Sequence, residues 1–127
     1  MKKQSILLVE DDETIHLTLE YLLIKAGFDA DTAESGEEAI EKLDKNSSYD
    51  LVTTDLRMNL VSGVDVLKKV REIDVDIPVM IMSGFGVEST LFKEAMELKP
   101  CCHAIKPFSE MGFLGKIKHC LQDSIKS

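Results

Sequence analysis

The chain has 127 residues, of which 44% are hydrophobic and 30% are charged, and its formal net charge is −8. This composition is typical of a globular protein, and we expect a single domain over residues 1–127. Direct binding to nucleic acid is disfavoured, because 15 basic residues face 23 acidic ones and do not cluster. The sequence contains no apolar run of about 18 residues, so we expect no membrane span.

The three cysteines, Cys101, Cys102 and Cys120, are odd in number and lack the spacing that is typical of metal ligands. They are expected to be buried or partly buried thiols of a reducing compartment. The first residues show no signal-peptide pattern. We therefore expect a cytoplasmic location.

The first half of the chain alternates between predicted strands and predicted helices. Residues 5–9 form an apolar strand, and residues 13–26 form a helix that begins after Asp12 and ends before Gly27. Its inward face is predicted to consist of Ile15, Leu19, Leu22, Leu23 and Ala26. Residues 28–33 alternate between apolar and polar, as an edge strand does, and residues 37–43 form a short helix. Residues 51–54 are the third strand.

The second half continues the alternation. A third helix carries Val64, Leu67, Val70 and Ile73, and residues 77–82 form an almost continuously apolar strand. Residues 87–98 form a helix with Val87, Leu91, Ala95 and Leu98 inward, and residues 103–105 form a short strand. A last helix begins after Ser109 and carries Phe113, Leu114, Ile117, Leu121 and Ile125. Five strand–helix units predict an α/β flavodoxin-like fold, a doubly wound parallel sheet in the order 2-1-3-4-5.

Polar residues stand where four of the predicted strands end. Glu10 and Asp11 follow the first strand, Asp55 the third, Ser83 the fourth and Lys106 the fifth. The carboxyl ends of parallel strands meet at one edge of a sheet, where ligands commonly bind. We therefore expect these side chains to converge in one crevice.

The predicted cluster has a definite chemistry. The carboxylates of Glu10, Asp11 and Asp55 would repel one another, and a divalent cation would relieve that repulsion. Oxygen ligands without histidine or cysteine suit Mg²⁺, with Mn²⁺ as a second possibility. A carboxylate can also attack a phosphoryl group and become an acyl phosphate. Lys106 would then neutralise charge, and Ser83 would donate to a phosphoryl oxygen.

The sequence resembles the bacterial response regulator receiver domain, the phosphorylated part of two-component signalling systems. The resemblance extends from about residue 5 to residue 125, and its motifs are ILLVEDDE at residues 6–13, DLRM at 55–58, MSGFG at 82–86 and KPF at 106–108. It implies a signalling domain rather than an enzyme acting on other substrates, since such domains catalyse only their own phosphotransfer and dephosphorylation.

The resemblance assigns a role to each residue of the cluster. Asp55 would accept the phosphoryl group from a phosphohistidine of a histidine kinase or phosphotransfer protein. Asp11 would bind Mg²⁺ directly and Glu10 through water, and the backbone carbonyl of Arg57 would be a further ligand. Ser83 and Lys106 would contact the phosphoryl group. Asp12 then remains as the cap of the first helix.

The resemblance also implies how phosphorylation becomes an output. The fourth helix, the fifth strand and the last helix would form a surface that shifts on phosphorylation. It would contact a kinase, an effector domain or a second copy of the chain, with no direct contact to nucleic acid or membrane. Candidate contact residues, which could equally belong to the core, are Phe92, Met96 and Met111.

Three positions near the site raise further expectations. His103 stands where the family has an aromatic switch residue; it could move inward on activation and make the output pH-sensitive. We favour the plainer interpretation, in which His103 lies on the surface of an interaction face. Phe85 could shield an acyl phosphate from water and slow its hydrolysis, and the resemblance implies a cis bond between Lys106 and Pro107.

Two other functions fit the sequence less well. The fold alone can mediate protein association, so the chain could be a phosphorylation-independent scaffold, a pseudo-receiver. The intact acids, aspartate, hydroxyl and lysine argue against that reading. A haloacid-dehalogenase-type phosphatase has a D-x-D-x-T motif, which Glu10, Asp12 and Thr14 approach, but glutamate replaces the nucleophile.

Overall fold

A computed structural model describes residues 3–46, 48–58, 60–84, 90–106 and 108–126 of the chain, the side chains of 123–126 excepted. Five parallel strands form one sheet in the order β2-β1-β3-β4-β5. The strands are β1 (Ser5–Val9), β2 (Asp29–Ala33), β3 (Leu51–Asp55), β4 (Val79–Ser83) and β5 (Cys102–Ile105). The predicted fold class and strand order are confirmed.

Five helices of the described chain cover the two faces of this sheet. They are α1 (Glu13–Lys25), α2 (Gly36–Lys45), α3 (Gly63–Ile73), α4 (Thr90–Glu97) and α5 (Glu110–Lys126). Successive residues of β1 supply opposite faces, because side chains alternate along a strand. Leu7 and Val9 pack against α2, α3 and α4, whereas Ile6 and Leu8 pack against α1 and α5. The sheet is thus buried on both sides, as its apolar central strands require.

Side-chain caps define where several helices begin. Asp12 accepts a hydrogen bond from the backbone N–H of Ile15 at 3.0 Å, as predicted for the cap of α1. Ser62 and Asp65 form a reciprocal capping box at the start of α3. Ser109 accepts a hydrogen bond from the N–H of Gly112 at 2.9 Å, which supports its predicted capping role. These local contacts fix the direction in which each helix leaves the strand before it.

Some details of the helix predictions were wrong. Ala26 is exposed rather than inward, because α1 ends at Lys25 and Gly27 turns the chain with a φ of 96°. His16, which was not predicted to face inward, is buried on that face of α1. The predicted start of the fourth helix at Val87 is not tested, because residues 85–89 lie outside the described residues and the described part of α4 is Thr90–Glu97. Phe92 belongs to the core, whereas Met96 and Met111 are exposed.

Strand boundaries also moved by one or two residues. Strand β4 begins at Val79, directly after Pro78, which has no N–H to donate to the ladder. Strand β5 begins at Cys102 rather than at His103. Within the described ranges, no helix is long and apolar enough to cross a membrane.

Candidate functional site

The predicted site residues lie together at the carboxyl edge of the sheet. Strand pairing holds the strand ends level, since Asp55 lies opposite Met82 and Ser83 lies opposite Ile105. Two hydrogen bonds continue the pairing beyond the strands: Leu56 donates to the Met82 carbonyl at 2.9 Å, and Lys106 donates to the Ser83 carbonyl at 2.7 Å. The backbone hydrogen bonds alone therefore fix where the side chains of Asp55, Ser83 and Lys106 leave the main chain.

Lys106 joins the acidic residues of two different strands. Its Nζ donates to Oε1 of Glu10 at 2.6 Å and to Oδ2 of Asp55 at 3.1 Å. The Glu10 side chain is fully buried, and the Asp55 side chain is 9% exposed. Ion pairs in such shielded surroundings are little screened by salt. The lysine thus offsets the repulsion between two carboxylates that the sheet forces together.

Glu10 is held by contacts at both ends of its residue. Its Oε2 accepts from the backbone N–H of Asp12 at 3.1 Å, and its carbonyl oxygen accepts from Nδ1 of His16 at 3.1 Å. The pKa of the Glu10 carboxyl is raised from 4.5 to about 7, chiefly by burial and also by the nearby Asp55 charge, against the opposing hydrogen bond from Lys106. The Glu10 carboxyl therefore holds a proton to higher pH than an exposed glutamate does.

Lys106 stays charged despite its partial burial. Desolvation acts to lower the pKa of its ammonium group, but the hydrogen bond to Glu10 and the charge of Asp55 raise the pKa above its ordinary value of 10.5. The site therefore holds a fixed positive charge at neutral pH beside Asp55.

A cavity of about 280 Å³ opens in front of Asp55. Its lining consists of Asp55, Leu56, Arg57, Ser83, Gly84, Leu91 and Lys106. The Ser83 hydroxyl is buried and has no hydrogen-bond partner within the part of the chain that the structure describes. A buried hydroxyl without a partner costs free energy, which a ligand oxygen in the cavity would recover. The cavity thus combines an acid, a cation and an available donor.

The three acidic residues also converge. Glu10, Asp11 and Asp55 can each place a carboxylate oxygen within 4.8 Å of the other two. Asp11 is exposed and Arg57, on the rim of the cavity, is exposed as well, so both are open to a hydrated ligand. An all-oxygen donor set that includes two buried carboxylates fits a small divalent cation. These residues could hold a metal.

Gly63 fixes the loop that follows Asp55. Its N–H donates to the Leu56 carbonyl at 2.8 Å. A Cβ at this position would lie 2.8 Å from the Leu56 Cα and closer still to the Asp55 carbonyl oxygen. The close approach of two backbone segments, rather than an unusual φ, therefore requires glycine here. A side chain at the Gly63 Cα would push on the backbone of Asp55, the residue that faces the cavity.

The structure adds one residue that the sequence prediction missed. His16 is buried and donates from Nδ1 to the Glu10 carbonyl, and it also lines a small pocket with Glu10, Asp11, Glu13 and Glu34. Its position four residues after the cap of α1 and three before Leu19 could have indicated an inward side chain. It supports the backbone that carries the acidic pair.

His103 is half-buried and not simply on the surface. Its ring meets the ring of Phe92 of α4 edge to face, with centroids 5.1 Å apart. This contact couples β5 to α4 beside the site. Phe85 and Pro107 lie outside the described residues, so the expectations on hydrolysis and on the cis bond stay predictions.

Comparison with known proteins agrees with this architecture. A family model described as "Response regulator receiver domain" matches residues 6–118. Sporulation initiation phosphotransferase F of Bacillus subtilis is 32% identical over 108 residues, which are 85% of this chain and 86% of that protein. The transcriptional regulatory protein CpxR homolog of Haemophilus influenzae is 36% identical over 121 residues, which are 94% of this chain and 51% of that protein.

Solved structures show the same fold. A CheY-like receiver domain protein from Methanospirillum hungatei superimposes with a TM-score of 0.92 at 20% identity, covering 98% of each chain. A receiver protein from Sinorhizobium medicae gives a TM-score of 0.85 at 29% identity, covering 97% of this chain and 98% of the other. The chain spans only 51% and 38% of the length of two of its transcription-regulator relatives.

The doubly wound sheet, with a lysine-bridged acidic cavity at its carboxyl edge, places the protein in the flavodoxin-like fold class. The chain belongs to the response regulator receiver domain family. Its function is that of a phosphorylation-switched domain of two-component signalling.

Proposed function

We propose that Asp55 is the phosphoacceptor and that the strand-end cavity is the place of phosphoryl transfer. One observation carries this assignment: Lys106 Nζ donates hydrogen bonds to both Glu10 and Asp55, which places the lysine's positive charge between Glu10 and the proposed acceptor. The cavity in front of Asp55 adds the buried hydroxyl of Ser83, which is suited to a phosphoryl oxygen.

The chemistry requires little acid–base help from the protein. A carboxylate oxygen of Asp55 attacks the phosphorus of a phosphohistidine, a new oxygen–phosphorus bond forms, and the nitrogen–phosphorus bond breaks. The imidazole takes up the electron pair and then a proton. Lys106 neutralises negative charge on the phosphoryl oxygens, and Ser83 donates to one of them. Positioning and charge compensation therefore account for most of what this chain contributes.

The acidic cluster is proposed to hold Mg²⁺, with Mn²⁺ as an alternative. Glu10, Asp11, Asp55 and the backbone carbonyl of Arg57 are the proposed ligands, and the oxygen-only donor set supports that choice. When bound, the cation supplies positive charge to the phosphoryl oxygens. The raised pKa of Glu10 falls as a cation approaches, which leaves its carboxylate ionised.

The output surface is proposed to consist of α4, β5 and α5. Ser83 ends β4 beside α4, and Lys106 follows β5, so a phosphoryl group that binds both pulls on this side of the domain. The ring pair of His103 and Phe92 lies in the same region and would respond to such a shift. Phosphorylation biases this surface only through contacts that differ between the two states.

The partners of the whole protein are likewise proposals. We propose a histidine kinase or a phosphotransfer protein as the phosphoryl donor and an effector domain, or a second copy of the chain, as the receiver of the output. A cytoplasmic location and the absence of direct nucleic-acid contact stay predictions. The phosphorylation-independent scaffold is the alternative function, and it becomes preferable only if Asp55 accepts no phosphoryl group.

The test is the intact mass of the protein after incubation with acetyl phosphate and Mg²⁺. The wild type is expected to gain one phosphoryl group, and Asp55→Asn is expected to gain none. Chelation of Mg²⁺ should prevent the gain. Lys106→Met is expected to slow it by about 100-fold or more, as loss of an aimed charge-stabilising donor does elsewhere.

A matched control is available in Asp12, an exposed aspartate close to the site. Asparagine caps helices as well as aspartate does, so Asp12→Asn should keep α1 and the phosphorylation unchanged. Failure of the wild type to accept a phosphoryl group, also from a phosphohistidine donor, would favour the scaffold. Equal phosphorylation of Asp55→Asn would move the acceptor to another residue.

A further inference from the structure

Three cysteine side chains meet between β5 and α5, and none of them lines the acidic cavity. Cys101 precedes β5, Cys102 begins it, and Cys120 lies in α5. Each can place its sulfur within 4.8 Å of the other two, and the sulfurs of Cys102 and Cys120 are 2.9 Å apart. This cluster lies at the amino end of β5, whereas Lys106 follows the carboxyl end. The chemistry at Asp55 makes no use of it.

The local backbone brings two consecutive cysteines to the same side of the sheet. Side chains that follow one another in a regular strand point to opposite faces. Here Cys101 and Cys102 both pack against the apolar cluster beneath α5. Regular pairing begins only at Cys102, and Lys99 turns the chain just before with a φ of 55°. Cys101 is therefore outside the alternation of β5, and its thiol is added to the other two.

The arrangement suits a soft cation better than any hard one. Thiolate sulfurs prefer Cu(I) and Zn(II) over Mg²⁺. Metal–sulfur bonds of about 2.3 Å place ligand sulfurs about 3.8 to 4.0 Å apart. The Cys102 and Cys120 sulfurs, at 2.9 Å, lie closer together than this, and no two of the three sulfurs are more than 4.8 Å apart. Small side-chain rotations would therefore produce a coordination site. Cys120 is fully buried, and the partly buried Cys101 and Cys102 leave a way in.

We propose that Cys101, Cys102 and Cys120 form a three-thiolate site for a soft metal cation, Cu(I) in the first place. Three sulfur donors satisfy a trigonal Cu(I), whereas Zn(II) would require a fourth ligand. A cation bound there joins β5 directly to α5. This site is independent of the phosphoacceptor assignment, since it shares no residue with the acidic cavity.

The experiment is a Cu(I) titration of the reduced, oxygen-free full chain against a coloured Cu(I) chelator, with native mass spectrometry to count bound ions. One Cu(I) per chain is expected. Cys101→Ser and Cys102→Ser should each weaken Cu(I) binding by roughly 10- to 100-fold or more. Loss of a residue that only supports a ligand already costs that much at metal sites. Both residues are only partly buried and serine differs from cysteine by one atom, so we expect these variants to fold. Zn(II) is titrated in parallel and is expected to bind more weakly than Cu(I).

A matched control removes a sulfur that lies outside the cluster. Met111 is 85% exposed on the same helix as Cys120, and Met111→Leu should bind Cu(I) like the wild type. The proposal is overturned if the reduced protein retains no Cu(I), or if Cys101→Ser binds as tightly as the wild type. It is also overturned if the reduced protein retains no metal and air instead produces a stoichiometric disulfide between Cys102 and Cys120.

Discussion

Replacement of Gly63 by alanine tests whether the loop after Asp55 is fixed by close backbone packing. The new Cβ would lie 2.8 Å from the Leu56 Cα and 2.9 Å from the Asp55 carbonyl carbon. Ordinary contacts between carbon atoms are about 3.5 to 4.0 Å, so the loop must move by roughly 1 Å. The neighbours are backbone atoms, and no change of rotamer relieves the contact.

Two consequences follow from that displacement. Overpacking typically costs about 1 to 3 kcal/mol, and we expect Gly63→Ala to lower the free energy of unfolding by an amount near the upper end of that range. A displacement of about 1 Å at a reacting group can slow a reaction roughly 100-fold. If Asp55 is the acceptor, phosphorylation by acetyl phosphate should slow by about that factor.

The assay combines urea unfolding with the rate of phosphorylation measured by intact mass. Gly115 offers the control, because a Cβ there meets nothing within 4 Å and the residue lies inside α5. Gly115→Ala should stabilise the protein by up to about 1 kcal/mol and leave phosphorylation unchanged. A Gly63→Ala protein that is as stable and as reactive as the wild type would refute the packing argument.

Three further predictions concern charge and hydrogen bonding. The Glu10 pKa, raised by burial from 4.5 to about 7, gives a stability contribution that is present below pH 4.5 and lost as the pH rises through about 7. In urea unfolding without divalent cations, Glu10→Gln should not show that loss of stability as the pH rises. A difference in the free energy of unfolding between the variant and the wild type that does not change with pH would contradict the prediction. Tyr49→Phe deletes a hydrogen bond to Asp31 and should cost about 1 kcal/mol. Burial acts to raise the pKa of Asp31, but hydrogen bonds from Lys42 and Tyr49 lower it below 3.8. The stability that Asp31 contributes is therefore present at neutral pH and is lost as the pH falls through that lowered pKa. A Tyr49→Phe protein that loses stability at acid pH just as the wild type does would argue against this. The Arg71 guanidinium donates to three backbone carbonyls. Arg71→Lys should lower the free energy of unfolding by about 1 to 2 kcal/mol, because an ammonium group cannot replace the planar guanidinium with its several donors. Unchanged unfolding in urea would show that these hydrogen bonds contribute little.

Local pattern was sufficient to predict most of the fold. Periodicity distinguishes strands from helices, and the alternation of the two leads to a parallel sheet with few possible orders. The ends of helices were less predictable, as Ala26 shows: a stop at Gly27 left room for the helix to end one residue earlier. His16 was missed because a polar residue on the inward face requires a partner that the sequence does not reveal, here the Glu10 carbonyl.

The sequence by itself determined which polar residues stand at the strand ends, because the carboxyl edge of a parallel sheet follows from the order of strands and helices. Only the tertiary structure decided how those residues interact. Lys106 meets Glu10 and Asp55 across 96 and 51 positions of the chain. Contacts over such separations depend on how helices and strands pack, which local periodicity does not encode. The convergence of the three cysteines has the same origin: their spacing showed no site, and the packing of α5 on β5 brought them together.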